Sequence, residues 1–117
     1  MIRTVLRLRA VPDRADQVVK LYAEHGILDR ARAFGGCQDA WLLRETGGDD
    51  ATFLVMADWD AVEDYQRWVA DPWRADVSRR LADLLDPEAD EPTVGSVLEL
   101  VPTGPSATSP SDLEEQQ

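Results

Sequence analysis

Phe53-Leu54-Val55-Met56-Ala57-Asp58-Trp59-Asp60-Ala61-Val62-Glu63-Asp64-Tyr65-Gln66-Arg67-Trp68 is the stretch on which the fold turns. Its first half is a strand, with Phe53, Val55, Ala57 and Trp59 on one side and Leu54 and Met56 on the other. Asp60 then offers an N-cap, and Glu63 completes a capping box. Val62, Tyr65, Trp68 and Val69 recur at helical spacing and share one side of the helix that follows. The strand is apolar on both faces, and a helix can cover only one of them.

Upstream, Cys37 to Thr46 reads as a strand and Gly47-Gly48-Asp49-Asp50 as a hairpin turn, so this strand and Ala51 to Asp60 pair antiparallel. Trp41 and Leu43 alternate with Ala40 and Leu42. Ile2 to Ala10 is a further strand, in which Arg3, Arg7 and Arg9 alternate with apolar residues. Pro12 breaks it, and Asp13 is placed to cap a helix carrying Ala15, Val18, Val19 and Tyr22 on its apolar side. That helix runs toward Ala33 with a disturbance near Gly26, and Gly35-Gly36 ends it. Downstream, Asp71-Pro72 restarts the helix, with Asp as cap and Pro at the first helical position. Trp73, Val77, Leu81, Leu84 and Leu85 form its buried stripe. After Pro87 and an acidic loop from Glu88 to Glu91, Thr93 to Val101 makes a last strand.

The order is β-α-β-β-α-β, an α+β class with ferredoxin-like topology: an antiparallel sheet with all helices on one face. The domain covers residues 1 to 101, and 102 to 117 are expected to be a disordered, acidic tail, since Leu113 is their one large apolar residue. A chain of 117 residues fits one domain. The second, third and fourth strands carry apolar residues on both faces, the fourth with Val97 and Val101 opposite Leu98 and Leu100, and the helices can cover only one face. The other face wants another sheet, so a homodimer is expected.

Composition removes several classes of function. The formal net charge is −11, from 12 Lys and Arg against 23 Asp and Glu. With no dense basic patch, nucleic acid is not the expected partner, and anionic membranes are disfavoured. The single cysteine, Cys37, excludes an internal disulfide, and the single histidine, His25, excludes a convincing metal site. No signal sequence or span-length apolar run is seen, and the default address is the cytosol. No glycine pattern has the spacing of a phosphate loop. No bound cofactor is expected.

The aromatic residues point to a pocket between sheet and helices. Trp59 ends a strand, while Trp68 and Trp73 bracket the break at Ala70-Asp71-Pro72. Tyr22 and Tyr65 lie on core-facing stripes. Plain core packing accounts for the same residues. Candidate ligand contacts are Tyr22, Trp41, Trp68, Trp73, Phe53 and Arg44. His25, one turn after Tyr22, is the general-base candidate near neutral pH, and a helix-surface histidine is the alternative. A flat, acidic phenol or enol would suit such a site and would bring its own reactivity.

The quoted stretch, the Gly35-Gly36-Cys37 lead into its strand and the short Ala70-Asp71-Pro72 motif resemble the antibiotic biosynthesis monooxygenases, small members of the dimeric α+β barrel superfamily. The likeness spans residues 2 to 101. It implies a homodimer with one site per subunit, between sheet and helices. It implies cofactor-independent oxidation of polyphenols by O₂, typically an anthrone to an anthraquinone in polyketide pathways. It also implies catalytic roles for Trp59 and for a pocket tyrosine at the position of Tyr65. One position departs: many members carry His where this chain has Trp68, so acid–base duty would pass to His25, or the chain does other chemistry. A non-oxidative polyketide cyclase or dehydratase of the same fold stays open. So does a non-catalytic dimer that binds a small molecule such as haem.

Overall fold

Alternation along the strands sorts the side chains into two faces, and a computed structural model of the chain, describing residues 1–48, 50–87 and 95–103, shows how. The strands are β1 (Ile2–Arg9), β2 (Cys37–Arg44), β3 (Thr52–Trp59) and β4 (Ser96–Glu99). They form one antiparallel sheet in the order β2-β3-β1-β4. A 3-10 turn (Pro12–Arg14), α1 (Ala15–His25) and α2 (Ile27–Arg32) link β1 to β2. The helices α3 (Val62–Val69) and α4 (Pro72–Ala82) follow β3. This is the ferredoxin-like α+β fold, with each helical connection made of two helices.

Register places the core. Leu8 pairs with Phe53, Leu6 with Val55, Thr4 with Ala57 and Ile2 with Trp59. These residues, with Ala40 and Leu42 of β2, make the face that the helices cover. Onto it pack Val18 and Tyr22 of α1, Ile27 and Ala31 of α2, Tyr65 and Trp68 of α3, and Val77 and Leu81 of α4. Burying each large apolar side chain stabilises the fold by roughly 1.5–3 kcal/mol.

The opposite face is read in rows across the strands. Trp41, Met56, Val5 and Ser96 are successive partners in one row, and Leu43, Leu54 and Arg7 in the next. Asp39, Asp58, Arg3 and Leu98 form a third. Leu43 is 44% exposed and Leu98 48% exposed. No element among the described residues is packed on the face these side chains share.

Three local expectations are corrected. Asp60 does not cap α3. The N-cap is Ala61, whose N–H donates to the Asp64 carboxylate at 3.1 Å, because Asp60 is drawn off by Gln38 and its own N–H goes to the Gly36 carbonyl. Asp13 makes no cap either: it lies in the 3-10 turn, and α1 starts after Arg14 without a side-chain cap. Val19 points outward, 43% exposed, as Val18 and Tyr22 already fill the inner side of α1. Elsewhere the signals hold: Gly26 adopts φ +58° and divides α1 from α2, and Asp71 accepts the Trp73 N–H at 2.9 Å. Asp49 of the hairpin turn, the acidic loop at 88–91, Thr93 and Val94 of the last strand, and the tail from residue 104 lie outside the described residues.

Candidate active site

Small residues open a space where the sheet faces the helices. Ala40, Ala57 and Thr4 are neighbours in one row across β2, β3 and β1. Three short side chains side by side leave a trough that the helices bridge rather than fill. The result is a cavity of about 140 Å³, lined from the sheet by Thr4, Ala40, Val55, Ala57 and Trp59 and from the helices by Tyr22, Tyr65, Trp68, Trp73 and Arg74 among others. A cavity near 150 Å³ accommodates about one benzene ring.

Its aromatic wall is a connected cluster. Trp59 is fully buried, and its indole N–H donates to Thr4 Oγ1 at 3.1 Å. The Thr4 hydroxyl in turn reaches the Ala57 carbonyl at 3.5 Å. With its polar atom occupied, Trp59 offers a ligand only its ring. Tyr65 leans on it with ring centroids 5.6 Å apart. Phe34 meets Trp59 and Trp68 edge-on, at 6.5 and 5.4 Å, and Trp68 continues to Trp73 at 6.3 Å.

The two tyrosines differ. The Tyr65 hydroxyl accepts the Gly95 N–H at 2.8 Å, which orients it and leaves its own proton to donate. Glycine is required there, since a Cβ on residue 95 would lie 2.9 Å from the Val5 carbonyl oxygen and 3.0 Å from the Tyr65 hydroxyl. Tyr22 is 8% exposed, and no described residue hydrogen-bonds its hydroxyl. Burial pushes its phenol up to about 12, against the opposing pull of the Arg74 charge. At neutral pH Tyr22 is therefore a proton-bearing donor and no base.

Of the residues singled out from sequence, Tyr22, Trp59, Tyr65, Trp68 and Trp73 meet at the cavity. Trp41, Phe53, Arg44 and His25 are not among its lining residues. Trp41 has the wrong parity on β2: it pairs with Met56 on the other face, 5.6 Å beneath the Arg3 guanidinium. Phe53 and Arg44 stack at 4.9 Å at the hairpin end of the sheet, where Arg44 also bonds Asp16 at 3.0 Å. His25 is the last residue of α1, half-buried where the helix gives way to Gly26. Residues not singled out include Thr4, Arg74, Ser78 and Gly95. The signal for Thr4 was its register with Ala40 and Ala57, which appears only once the strands are paired.

Cys37 is no nucleophile candidate: burial pushes its thiol up, away from the thiolate. Among the described residues no group of three or more His, Cys, Asp or Glu could hold a metal ion. No helix among them is long and apolar enough to cross a membrane.

No family model matches the chain, and no curated protein matches it. Solved structures do. The chain is similar to a crystal structure of an antibiotic biosynthesis monooxygenase, with a TM-score of 0.73 at 17% identity over 87% of this chain and 100% of that one. A protein of Deinococcus radiodurans, provisionally designated an antibiotic biosynthesis monooxygenase, aligns with a TM-score of 0.71 at 19% identity, covering 85% of this chain and 91% of the other. One from Caulobacter crescentus with the same provisional designation gives 0.69 at 15% identity, covering 86% and 89%. At these identities the likeness establishes the fold, which is the one the sequence resemblance implies; fold alone does not carry activity.

Proposed function

We propose that this chain is a cofactor-independent monooxygenase of the antibiotic biosynthesis monooxygenase family, a cytosolic homodimer that oxidises an aromatic polyketide, anthrone or polyphenol to quinone, with O₂. The observation that carries the reading is the cavity itself. It is ring-sized and walled by Trp59, Trp68 and Trp73, and it holds the hydroxyls of Tyr22 and Tyr65. Aromatic walls hold a flat ring by stacking, and two phenol donors suit an oxygen-bearing one. One ring fills a space of this size, and fused rings would extend toward the solvent side.

In the reaction an acidic C–H or phenolic O–H of the substrate gives up a proton. The resulting carbanion reduces O₂, the new C–O bond forms as a peroxide, and loss of water leaves the quinone carbonyl. Tyr65, oriented by Gly95, donates to the substrate oxygen as negative charge gathers there. No carboxylate or imidazole lines the cavity among the described residues, so the proton passes to water.

An oxygen electrode tests this with a hydroxyanthrone and chelator-treated protein. One O₂ should disappear for each quinone formed. Tyr65→Phe should lower kcat at least about tenfold with the fold retained. Substrate consumed without O₂ uptake would mean a cyclase or dehydratase instead.

A further inference from the structure

The sheet floor of the cavity is unevenly buried. On the face that the helices cover, Thr4 pairs with Ala57 and Leu8 with Phe53, and both pairs are buried. Between them lies the pair Leu6 and Val55, and these two are only half-buried. Leu42, the β2 partner of Val55, is half-buried too. An open row between two sealed ones sets the mouth of the cavity at Leu6 and Val55, both of which line it. On the helical side, Leu28 of α2 and Ser78 and Ala82 of α4 also line the cavity without being fully buried.

The lining changes character along its length, and α4 gives the direction. Its first turn carries Trp73, whose ring lies 6.3 Å from that of Trp68, in the cluster that leads through Phe34 to Trp59. Trp59 in turn donates to Thr4, so the rings gather at the Thr4 end of the floor. Past the other end of α4, the Leu84 carbonyl accepts the Val11 N–H at 3.0 Å, and the Asp86 N–H donates to the Arg9 carbonyl at 2.8 Å. That end therefore lies beside the end of β1, beyond Leu8. Between the two ends α4 lends the wall Val77, Ser78, Leu81 and Ala82, with no ring among them. The Thr4 and Leu8 rows are about 14 Å apart along the strand, and Trp73 and Ala82 about 14 Å apart along the helix. One aromatic ring covers only part of that length.

We propose that the cavity is a two-part site. Its aromatic end holds a single phenolic or enolic ring, and the strip over Leu6 and Val55, flanked by Leu28 and Ser78, takes an unbranched aliphatic chain carried by that ring. The proposal rests on the aromatic-ligand reading above and narrows it, from a fused-ring body to one ring with an apolar tail. A chain laid on the strip removes the half-exposed surfaces of Leu6, Val55 and Leu28 from water, and that is the source of its affinity. A ring without a chain leaves those surfaces wet.

Calorimetric titration of the full chain with phenol and the 4-alkylphenols from methyl to butyl tests this. A fully covered methylene is worth about 0.8 kcal/mol, or about fourfold in Kd, and on a half-open strip each should still tighten binding at least about twofold. Ser78→Phe fills the strip, and Ala82→Glu puts a charge at its outer end. Each should flatten the series while phenol itself binds as before. Leu43→Asp, on the opposite face of the sheet, should leave the series steep. 2-Naphthol has as many carbons as 4-butylphenol and should bind more weakly. A flat series from a phenol that binds sinks this proposal alone, as does 2-naphthol binding at least as tightly as 4-butylphenol. A series that stays steep in both Ser78→Phe and Ala82→Glu, or flattens in Leu43→Asp, puts the chain elsewhere and overturns it. If no member of the series binds at millimolar concentration, the aromatic-ligand reading falls and this proposal with it.

Discussion

Two buried phenols in one cavity, Tyr65 bonded to Gly95 and Tyr22 bonded to nothing described, show what a sequence reveals of a site and what it hides. Both were legible as inward members of helical stripes, as were Trp68 and Trp73, because burial follows periodicity. Arg74 was not, since one Arg among many on a helix has no pattern of its own; what distinguishes it is that it is the one charged side chain among the described residues lining the cavity. The Tyr22 environment has a measurable consequence. Its phenol is raised from 10.0 to about 12 in the folded state, mainly by burial. Below pH 10 both folded and unfolded chains keep the proton, and stability does not depend on this group. Between 10 and 12 the unfolded chain loses the proton and the folded one retains it, so stability falls as pH rises, by about 3 kcal/mol across the window. Urea midpoints at pH 9 and pH 11.5 should show a larger drop for the wild type than for Tyr22→Phe. An equal drop in both would mean that the Tyr22 phenol is not shielded.

At the scale of the element, the corner where β3 enters α3 decides where Tyr65 and Trp68 point. Helical spacing made α3 visible in the sequence, but not its frame. Asp60 and Asp64 both have the chemistry of a cap, and the choice between them is made from a distance. Gln38 and the Gly36 carbonyl hold Asp60, leaving Asp64 to accept the Ala61 N–H. Gly36 adopts φ +90°, and a Cβ there would fall on the Asp64 carboxylate. Gly35 has neither constraint: its φ is not positive, and a Cβ would meet nothing within 4 Å. Gly36→Ala should therefore lose about 2 kcal/mol or more of stability, from a backbone conformation that L-residues avoid plus displacement of Asp64. Gly35→Ala should change stability by less than about 1 kcal/mol. Urea denaturation of the two variants checks this, and similar losses would show that the corner is not held through Gly36.

For the whole molecule, the informative feature was already in the strands: apolar residues on both faces and helices for only one. The sheet confirms the sorting, with Trp41, Met56 and Val5 in one row and Leu43 and Leu54 in the next on the side away from the helices. The pairing that this face invites is the proposed homodimer, in which a second copy removes the patch from water. Charge works against it, because each copy carries −11. Added salt should therefore tighten the dimer by screening repulsion, while apolar contact is retained. Solution mass should be near twice 13.0 kDa, and more firmly so at 0.5 M NaCl than at 0.02 M. Leu43, 44% exposed on this face, can be changed without disturbing the core of a single copy, and Leu43→Asp should shift the mass toward the monomer. Val19, 43% exposed on α1, supplies the control, because Val19→Asp adds the same charge on the helical side and should leave the dimer in place. A wild-type monomer at micromolar concentration, or equal dissociation by the two substitutions, would remove the open sheet face as the site of pairing.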